Sequence, residues 1–541
     1  MSAAAPASAG SVATAGVAGP GARERRLPVW WPLAALTLLA AALRLSTLDL
    51  QSFWYDEAFT PVHVLHSSLW ATLRGVSHTE NSPPLWYLLA WVASRVLGTG
   101  EVALRLPSAL AGIATVPVAW AIGRELEGPP THGPPTDRPS TRRAALVCAA
   151  LVAVSPLFVW YSQEARVYGL FVLTAALAML CFLRAERDPT PRRMAAFALA
   201  GSLALLTHYF AVFLLAPMVL WLLLGPAGRA PGARRAPLAA CGAIALVGVA
   251  LLPLISAQGA HGTQWIGRWP LSERLQAIPQ YYLTGTSGEP LGHGIELLIA
   301  LPILAGIGLW LWRRLEQPAV ARARAAAADP AGAEVAGRER RGALIALTIA
   351  ACGVLIPIVL VAFGADYLAP RNLVAAMVPV TALVAVALAS PTVGRAGAVL
   401  AILTTLAFLA ISVDVDLSPR LQRGNWRQVA HVLRADGIAR AITTVELGAA
   451  PLEYYLPGLH NLHSGRAVLV SEIDETGYAP LRASAGESPA PGFRLLARLN
   501  VDGLIVYRFV AATPRAVSEA TLRRHVITLA HPEVLVPAAS G

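Results

Sequence analysis

From residue 29 to residue 413 the chain alternates long apolar runs with short polar segments, and beyond 413 the alternation stops. Apolar runs occupy about 29–48, 105–123, 144–160, 165–183, 194–208, 210–224, 238–256, 291–312, 342–363, 372–390 and 396–413. Most approach the ~20 residues that a helix needs to cross a bilayer. The pattern predicts a polytopic α-helical membrane protein with about 11 spans. The pair 194–208 and 210–224 is short, and reads either as two spans or as one long helix broken at His208.

Residues 1–22 are rich in Ala, Gly and Ser and are expected to be disordered. Arg23, Arg25 and Arg26 follow, and then the run Val29–Leu48. This run is too long for a signal-peptide core and is not followed by a small-residue cleavage site. It predicts an uncleaved first span with residues 1–28 in the cytoplasm.

The stretch Pro83–Leu97 (PPLWYLLAWVASRVL) needs a decision. At 1.5 Å per residue it covers about 22 Å, short of the hydrocarbon thickness. If it does not span, the arginine-bearing loops 124–143, 184–193, 225–237 and 313–341 all fall on the cytoplasmic side. If it spans, they all flip outside, against the N-terminal arginines. An interfacial helix at 83–97 is therefore expected, with a transmembrane domain over 29–413 and an outer loop at 49–82. Trp86, Tyr87 and Trp91 suit such a helix, because amphipathic rings sit at headgroup level.

Beyond 413, short strand-like runs (AITTVEL, AVLVS, DGLIVYRFV, HVITLA) alternate with helical ones (NWRQVAHVLRA, TPRAVSEATLRRH). Residues 414–541 are expected to form a small extracytoplasmic α/β domain, serving acceptor binding or stability.

Composition agrees with the pattern. Of 541 residues, 55% are hydrophobic and 14% charged, with a mean hydropathy of +0.55; a soluble domain carries about a quarter charged residues. The net charge is +11 and the chain has no Lys, so all 43 basic residues are Arg. These lie in short loops between apolar runs, which orients a membrane protein and excludes a nucleic-acid partner. Cys148, Cys181, Cys241 and Cys352 all sit in apolar runs, as small apolar residues. No disulfide is expected.

With that topology, four polar features fall on the outer face. They are Asp56 and Glu57 with Glu80 in the 49–82 loop, Gln163, Glu164 and Arg166 with Tyr168 nearby, His208 and Tyr209, and Arg371 in DYLAPRN. Each alone has a bland reading, as a solvated loop, an interfacial histidine or a headgroup anchor. Their convergence on one side predicts a site. A transporter would instead be expected to place polar groups near the bilayer midplane. A lipid-binding membrane protein without catalysis is the other alternative, and it would tolerate loss of Asp56.

The order of motifs resembles a known family. FWYDEAFT after the first run is followed by SPPLWYLL, RLPSALAG, SPLFVWYSQEARVYGL, LLTHYF and YLAPRNL. This order is similar to bacterial GT-C glycosyltransferases of the protein O-mannosyltransferase and aminoarabinose-transferase superfamily, over roughly 29–413. The resemblance implies reaction on the extracytoplasmic face, a polyprenyl-phosphate sugar donor, and a hexose such as mannose as the sugar. It implies a protein, lipid or glycan acceptor, and the first acidic residue of the outer loop, Asp56, as catalytic base beside Glu57. Glu80, Gln163, Glu164, Arg166, Tyr168, His208, Tyr209 and Arg371 are then the candidate substrate-binding residues. Some members bind a divalent metal cation through an acidic residue and a histidine, for which Glu57 or Glu80 with His208 is the candidate pair here. The family often has His before the Pro-Pro pair, where this chain has Ser82.

The residues suit that chemistry. Nucleotide sugars are absent outside the membrane, so the donor must be lipid-tethered, and the chain has no phosphate-binding glycine loop. Transfer to a hydroxyl needs a carboxylate to take its proton as C1 is attacked. It also needs positive charge at the departing phosphate, from Arg371, Arg166 or a cation.

Overall fold

A proline sets the first structural feature that the site depends on. Pro156 cannot donate to the carbonyl of Val152, so the helix Arg143–Val154 ends and a second, Pro156–Ser162, leaves at 55°. The stranded carbonyls find donors elsewhere. Arg44 donates to Ala153 O (2.7 Å) and Val152 O (3.1 Å), and Ser412 donates to Val154 O (2.9 Å). Arg44 is fully buried in the apolar region and is tolerated there because backbone carbonyls surround it. Its Nε donates to Ser162 Oγ at 3.1 Å, and a Cβ at Gly112 would stand 2.9 Å from that Nε. Glycine lets the Glu101–Glu127 helix close on this junction.

The computed structural model describes residues 30–127, 142–225, 234–259, 263–285, 294–316, 330–434, 438–528 and 531–537. The expected disordered segment 1–28 lies outside these residues. So do 128–141, 226–233 and 317–329, which make up much of three of the arginine-bearing loops.

Every apolar run read from the sequence falls on a helix or a helix pair. Among the described residues, seven helices are long and apolar enough to cross a membrane, or eight if the bent pair at Pro156 counts as one span. Trp31–Leu45, Pro191–Thr207 and Ala211–Leu224 are shorter, with 15, 17 and 14 residues. Length and composition therefore do not establish the expected 11 spans. His208 does separate two helices, and its N–H caps Ala204 O. The helix Leu85–Leu97 covers about 20 Å with its 13 residues. Its buried Trp86 donates to Ser108 Oγ (3.1 Å), while Val92 and Val96 are exposed.

The two ends of the bundle differ in chemistry. At one end Arg184 and Arg187 pair with Glu125, Arg314 with Glu339, and Arg341 with Glu186. The Glu101–Glu127 helix carries the chain about 40 Å from there to the other end. At that end Glu101 pairs with Arg427 (2.7 Å) and accepts from Tyr455.

Residues 440–537 form a six-stranded sheet. In chain order its strands are β1 (Arg440–Val445), β2 (Leu459–Asn461), β3 (Ala467–Tyr478), β4 (Arg494–Val501), β5 (Leu504–Ser518) and β6 (Pro532–Pro537). They lie in the order β2-β6-β1-β3-β5-β4, with only β1–β3 parallel. Two sequence expectations are corrected. Residues 513–518 of TPRAVSEATLRRH extend β5, with 515–518 paired to β3, and only Glu519–Arg524 is helical. The helix starts there because Ser518 Oγ accepts the N–H of Thr521. In HVITLA, residues 525–528 are not a strand; His525 is held by Glu475 at 2.8 Å.

This domain is fastened to the loop that follows the first helix. Phe53 N–H donates to the Tyr455 hydroxyl (2.8 Å), Ser52 bridges Gly424 O and Trp426 N–H, and Arg423 N–H donates to Gln51 (3.0 Å). Trp426 is buried beneath that contact.

Candidate active site

Arg105 organises the loop that carries the acidic pair. Its Nη groups donate to the carbonyls of Leu48 (2.7 Å), Gln51 (2.7 Å) and Ser52 (3.0 Å), and it grips Glu57 through Nε (2.7 Å) and Nη2 (2.6 Å). With the loop pinned, the chain enters the short helix Tyr55–Phe59, whose first turn holds Asp56 and Glu57 where the helix dipole favours acids. Successive helical residues point about 100° apart, and here that separates two neighbours completely. Asp56 faces a cavity; Glu57 is wholly buried and also accepts the N–H of Ala165 (2.8 Å). Burial alone would raise the Glu57 carboxyl, but Arg105, Arg423 and the Ala165 N–H outweigh it and hold its pKa below the ordinary value.

A second clamp fixes the opposite wall. Arg274 grips Asp366 (2.6 and 2.9 Å) and donates to Leu368 O. Ala369 is extended, as a residue before proline prefers, and Pro370 starts a 3₁₀ turn. Arg371, next in that turn, reaches Asp56 Oδ2 at 2.5 Å and stacks 4.9 Å over Trp265. A third pair lies beside it. Arg166 grips Glu80 (3.0 and 2.9 Å) and reaches Asp56 O, while Tyr87 donates to Glu80 at 2.6 Å.

These groups line one cavity of about 510 Å³. Asp56, Glu80, Ser82, Arg166, Tyr168, His208, Tyr209 and Arg371 all contribute to it, and so does Glu446 of the sheet domain. Phe213, Ile255, Pro357 and Leu360, on helices of the bundle, also line it. Its lining is amphiphilic: two arginines and three acids stand together with these apolar side chains.

Within it, His208 is stacked on Phe171 (4.6 Å) and its Nδ1 accepts the N–H of Phe210 at 3.2 Å. Burial, with Arg371 and Arg166 nearby, pushes its pKa down to about 3. The ring is neutral and its remaining N–H is at Nε2. Tyr209 donates to Gln258 (2.7 Å).

Three sequence candidates are placed differently. Glu57 does not line the cavity, because both its oxygens serve Arg105. Gln163 is also absent from it; its Nε2 donates to Leu43 O (3.0 Å) and Thr47 Oγ1 (2.5 Å), tying the bent helix to the first one. Glu164 faces a separate cavity. The pairing of Glu80 with His208 as cation ligands does not fit the donors present. Glu80 spends both oxygens on Arg166, and His208 spends Nδ1 on a backbone N–H. A divalent cation there would press against the guanidinium, and among the described residues no group of three or more His, Cys, Asp or Glu gathers anywhere.

Sequence reasoning passed over Arg105, although RLPSALAG opens an apolar helix with it, and an arginine there needs a partner. It also passed over Trp265, Arg423 and Glu446, whose segments carry no local motif.

The chain is similar to several known proteins. Its fold is similar to that of ArnT from Cupriavidus metallidurans bound to undecaprenyl phosphate, with a TM-score of 0.49, 15% identity, and coverage of 89% of this chain and 98% of that one. The apo state of the same protein gives a TM-score of 0.49 and 15% identity, covering 88% and 97%. The arabinofuranosyltransferase AftD from Mycobacteria gives 0.44 and 17%, covering 95% of this chain and 40% of that one. No curated protein matches the chain by sequence. Residues 81–253, which include Arg105, the WYSQEAR segment and His208, match the model of the dolichyl-phosphate-mannose-protein mannosyltransferase family, so the chain carries across that region the membrane-glycosyltransferase likeness that its motifs imply.

Proposed function

We propose that the protein is a membrane glycosyltransferase that moves a sugar, a hexose such as mannose, from a polyprenyl-phosphate donor to an acceptor hydroxyl on the outer face of the membrane. The observation that carries this reading is the Asp56–Arg371 pair, 2.5 Å apart, in a cavity lined by charged and apolar side chains together. The family match over 81–253 supports the donor class, since that family is described by its dolichyl-phosphate mannose.

The reaction follows from the placement of charge. The acceptor hydroxyl oxygen bonds to C1 of the donor sugar, and the C1–O bond to phosphate breaks with its electron pair leaving on the phosphate. Asp56 takes the hydroxyl proton. Arg371 stabilises the growing negative charge of the lipid phosphate as it leaves. Arg166 also lines the site, but Glu80 neutralises it through two bonds. Its contribution is mainly to fix the backbone of Asp56. Isoprenoid carbons lie along Phe213, Ile255 and Leu360.

Arg371→Ala should raise the KM for donor by roughly ten- to hundred-fold, as loss of a charged hydrogen bond to phosphate predicts. Arg371→Lys should recover little of it, because lysine lacks the planar two-pronged donor set. Donor titrations of purified protein check this; a donor KM that stays put while kcat falls would confine Arg371 to holding Asp56.

The site end is proposed to face outside and the arginine-rich end the cytoplasm, by the positive-inside rule. The exposed positions Ser488 and Arg340 report on the two ends. In a chain cleared of its four cysteines, a cysteine at 488 should react with an impermeant reagent in intact cells, and one at 340 only after permeabilisation. The reverse pattern would invert the orientation.

A further inference from the structure

Beside the cavity that holds Asp56 lies a second, of about 530 Å³, between the helical bundle and the sheet domain. Five of the chain's 14 tryptophans line it: Trp54, Trp160, Trp265, Trp269 and Trp426. The two cavities share a wall made of Tyr55, Trp265 and Arg371. Whatever fills the second therefore sits one side chain away from the Asp56–Arg371 pair.

Its polar groups are unusual. Glu164 lines it and is 1% exposed, yet neither carboxylate oxygen has a hydrogen-bond partner. The nearest cationic atom, Arg423 Nη2, stands 3.6 Å away. Trp54 Nε1 and Arg423 Nε are likewise buried without a hydrogen-bond partner, Arg423 Nε standing 4.0 Å from Glu57 Oε2. Buried polar atoms are nearly always satisfied, and each exception calls for an explanation. These exceptions belong to three residues, Glu164, Trp54 and Arg423, that line one aromatic cavity. Burial pushes the Glu164 carboxyl up to about 7, against the opposing charge of Arg423.

We infer that this cleft binds a carbohydrate acceptor, whose hydroxyls engage Glu164 and Trp54 while its rings lie against the tryptophan faces. The inference rests on the glycosyltransferase reading above and names the acceptor class for it. A hydroxyl both donates and accepts, which answers an orphaned carboxylate and an orphaned indole together. A sugar also presents an apolar C–H face, and an indole offers a large apolar face with one polar edge. The cleft lies against the sheet domain, with Tyr478 and Asp502 exposed at it.

Saturation-transfer NMR on the full-length purified protein tests this, with neutral trisaccharides of manno, gluco and arabino configuration and a Ser/Thr-rich peptide as separate probes. At least one trisaccharide should saturate and the peptide should not. Glu164→Gln should weaken that binding roughly ten-fold, and Trp269→Ala, at the partly exposed rim, by about three- to ten-fold. Failure of all three trisaccharides, saturation by the peptide instead, or trisaccharide binding untouched by both substitutions would each overturn the assignment. Undecaprenyl phosphate binding, measured on the same sample, separates the two ideas. If it binds while the sugars do not, only the cleft assignment falls; if neither binds, the glycosyltransferase reading falls with it.

Discussion

Asp56→Asn is expected to lower sugar transfer by about two to four orders of magnitude, the range that a positioned general base contributes. The substitution keeps the shape of the side chain and removes the basic oxygen. It should not disturb the loop, because Arg105 and Glu57 hold that loop and Asp56 makes none of those bonds. Donor binding should hold or tighten, since Arg371 loses the carboxylate that competes with phosphate for it. Transfer rate, donor affinity and thermal unfolding, measured on one preparation, give three separate readings. Transfer near the wild-type rate would move the base elsewhere. Glu164 would then be the first candidate, because it is buried, raised to about 7, and lines the cavity that shares Arg371.

What the sequence could reveal followed from how local each signal was. Apolar runs fix helices within themselves, and the helical bundle was legible for that reason. The sheet was harder to read. TPRAVSEATLRRH has helical spacing throughout, but 515–518 is captured by pairing with β3, a partner some 45 residues away. Local pattern does not encode that competition. The site divides the same way. Asp56 and Glu57 look equivalent in FWYDEAFT, and so do Gln163 and Glu164 in WYSQEAR. In each pair one residue faces a cavity and the other braces the backbone, a choice made by Arg105 and by the first helix, far off in sequence. The tryptophan-lined cleft gathers from several separate segments, none of which carries a pattern of its own.

The second large effect belongs to the brace itself. Glu57 and Arg105 are 0% and 1% exposed, joined by two bonds, with the remaining Arg105 donors spent on three loop carbonyls. Such a pair adds little over a well-packed apolar one, but removing a single partner strands a buried charge. That costs about 3–5 kcal/mol. Glu57→Gln should therefore act on stability first. Thermal unfolding in detergent should shift down sharply, and the yield of folded protein should fall. Whatever folds should retain measurable transfer, because Asp56 and Arg371 are still present. Arg105→Met should be equally damaging alone, while the double change Glu57→Met with Arg105→Met should recover part of the loss, since Glu57 and Arg105 leave together and Arg423 keeps Glu164 at 3.6 Å. Loss of the loop bonds from Arg105 keeps that recovery incomplete. A Glu57→Gln protein as stable as wild type but inactive would contradict this account and place Glu57 in the chemistry beside Asp56. Stability without recovery in the double variant would instead assign the cost to the three carbonyl bonds.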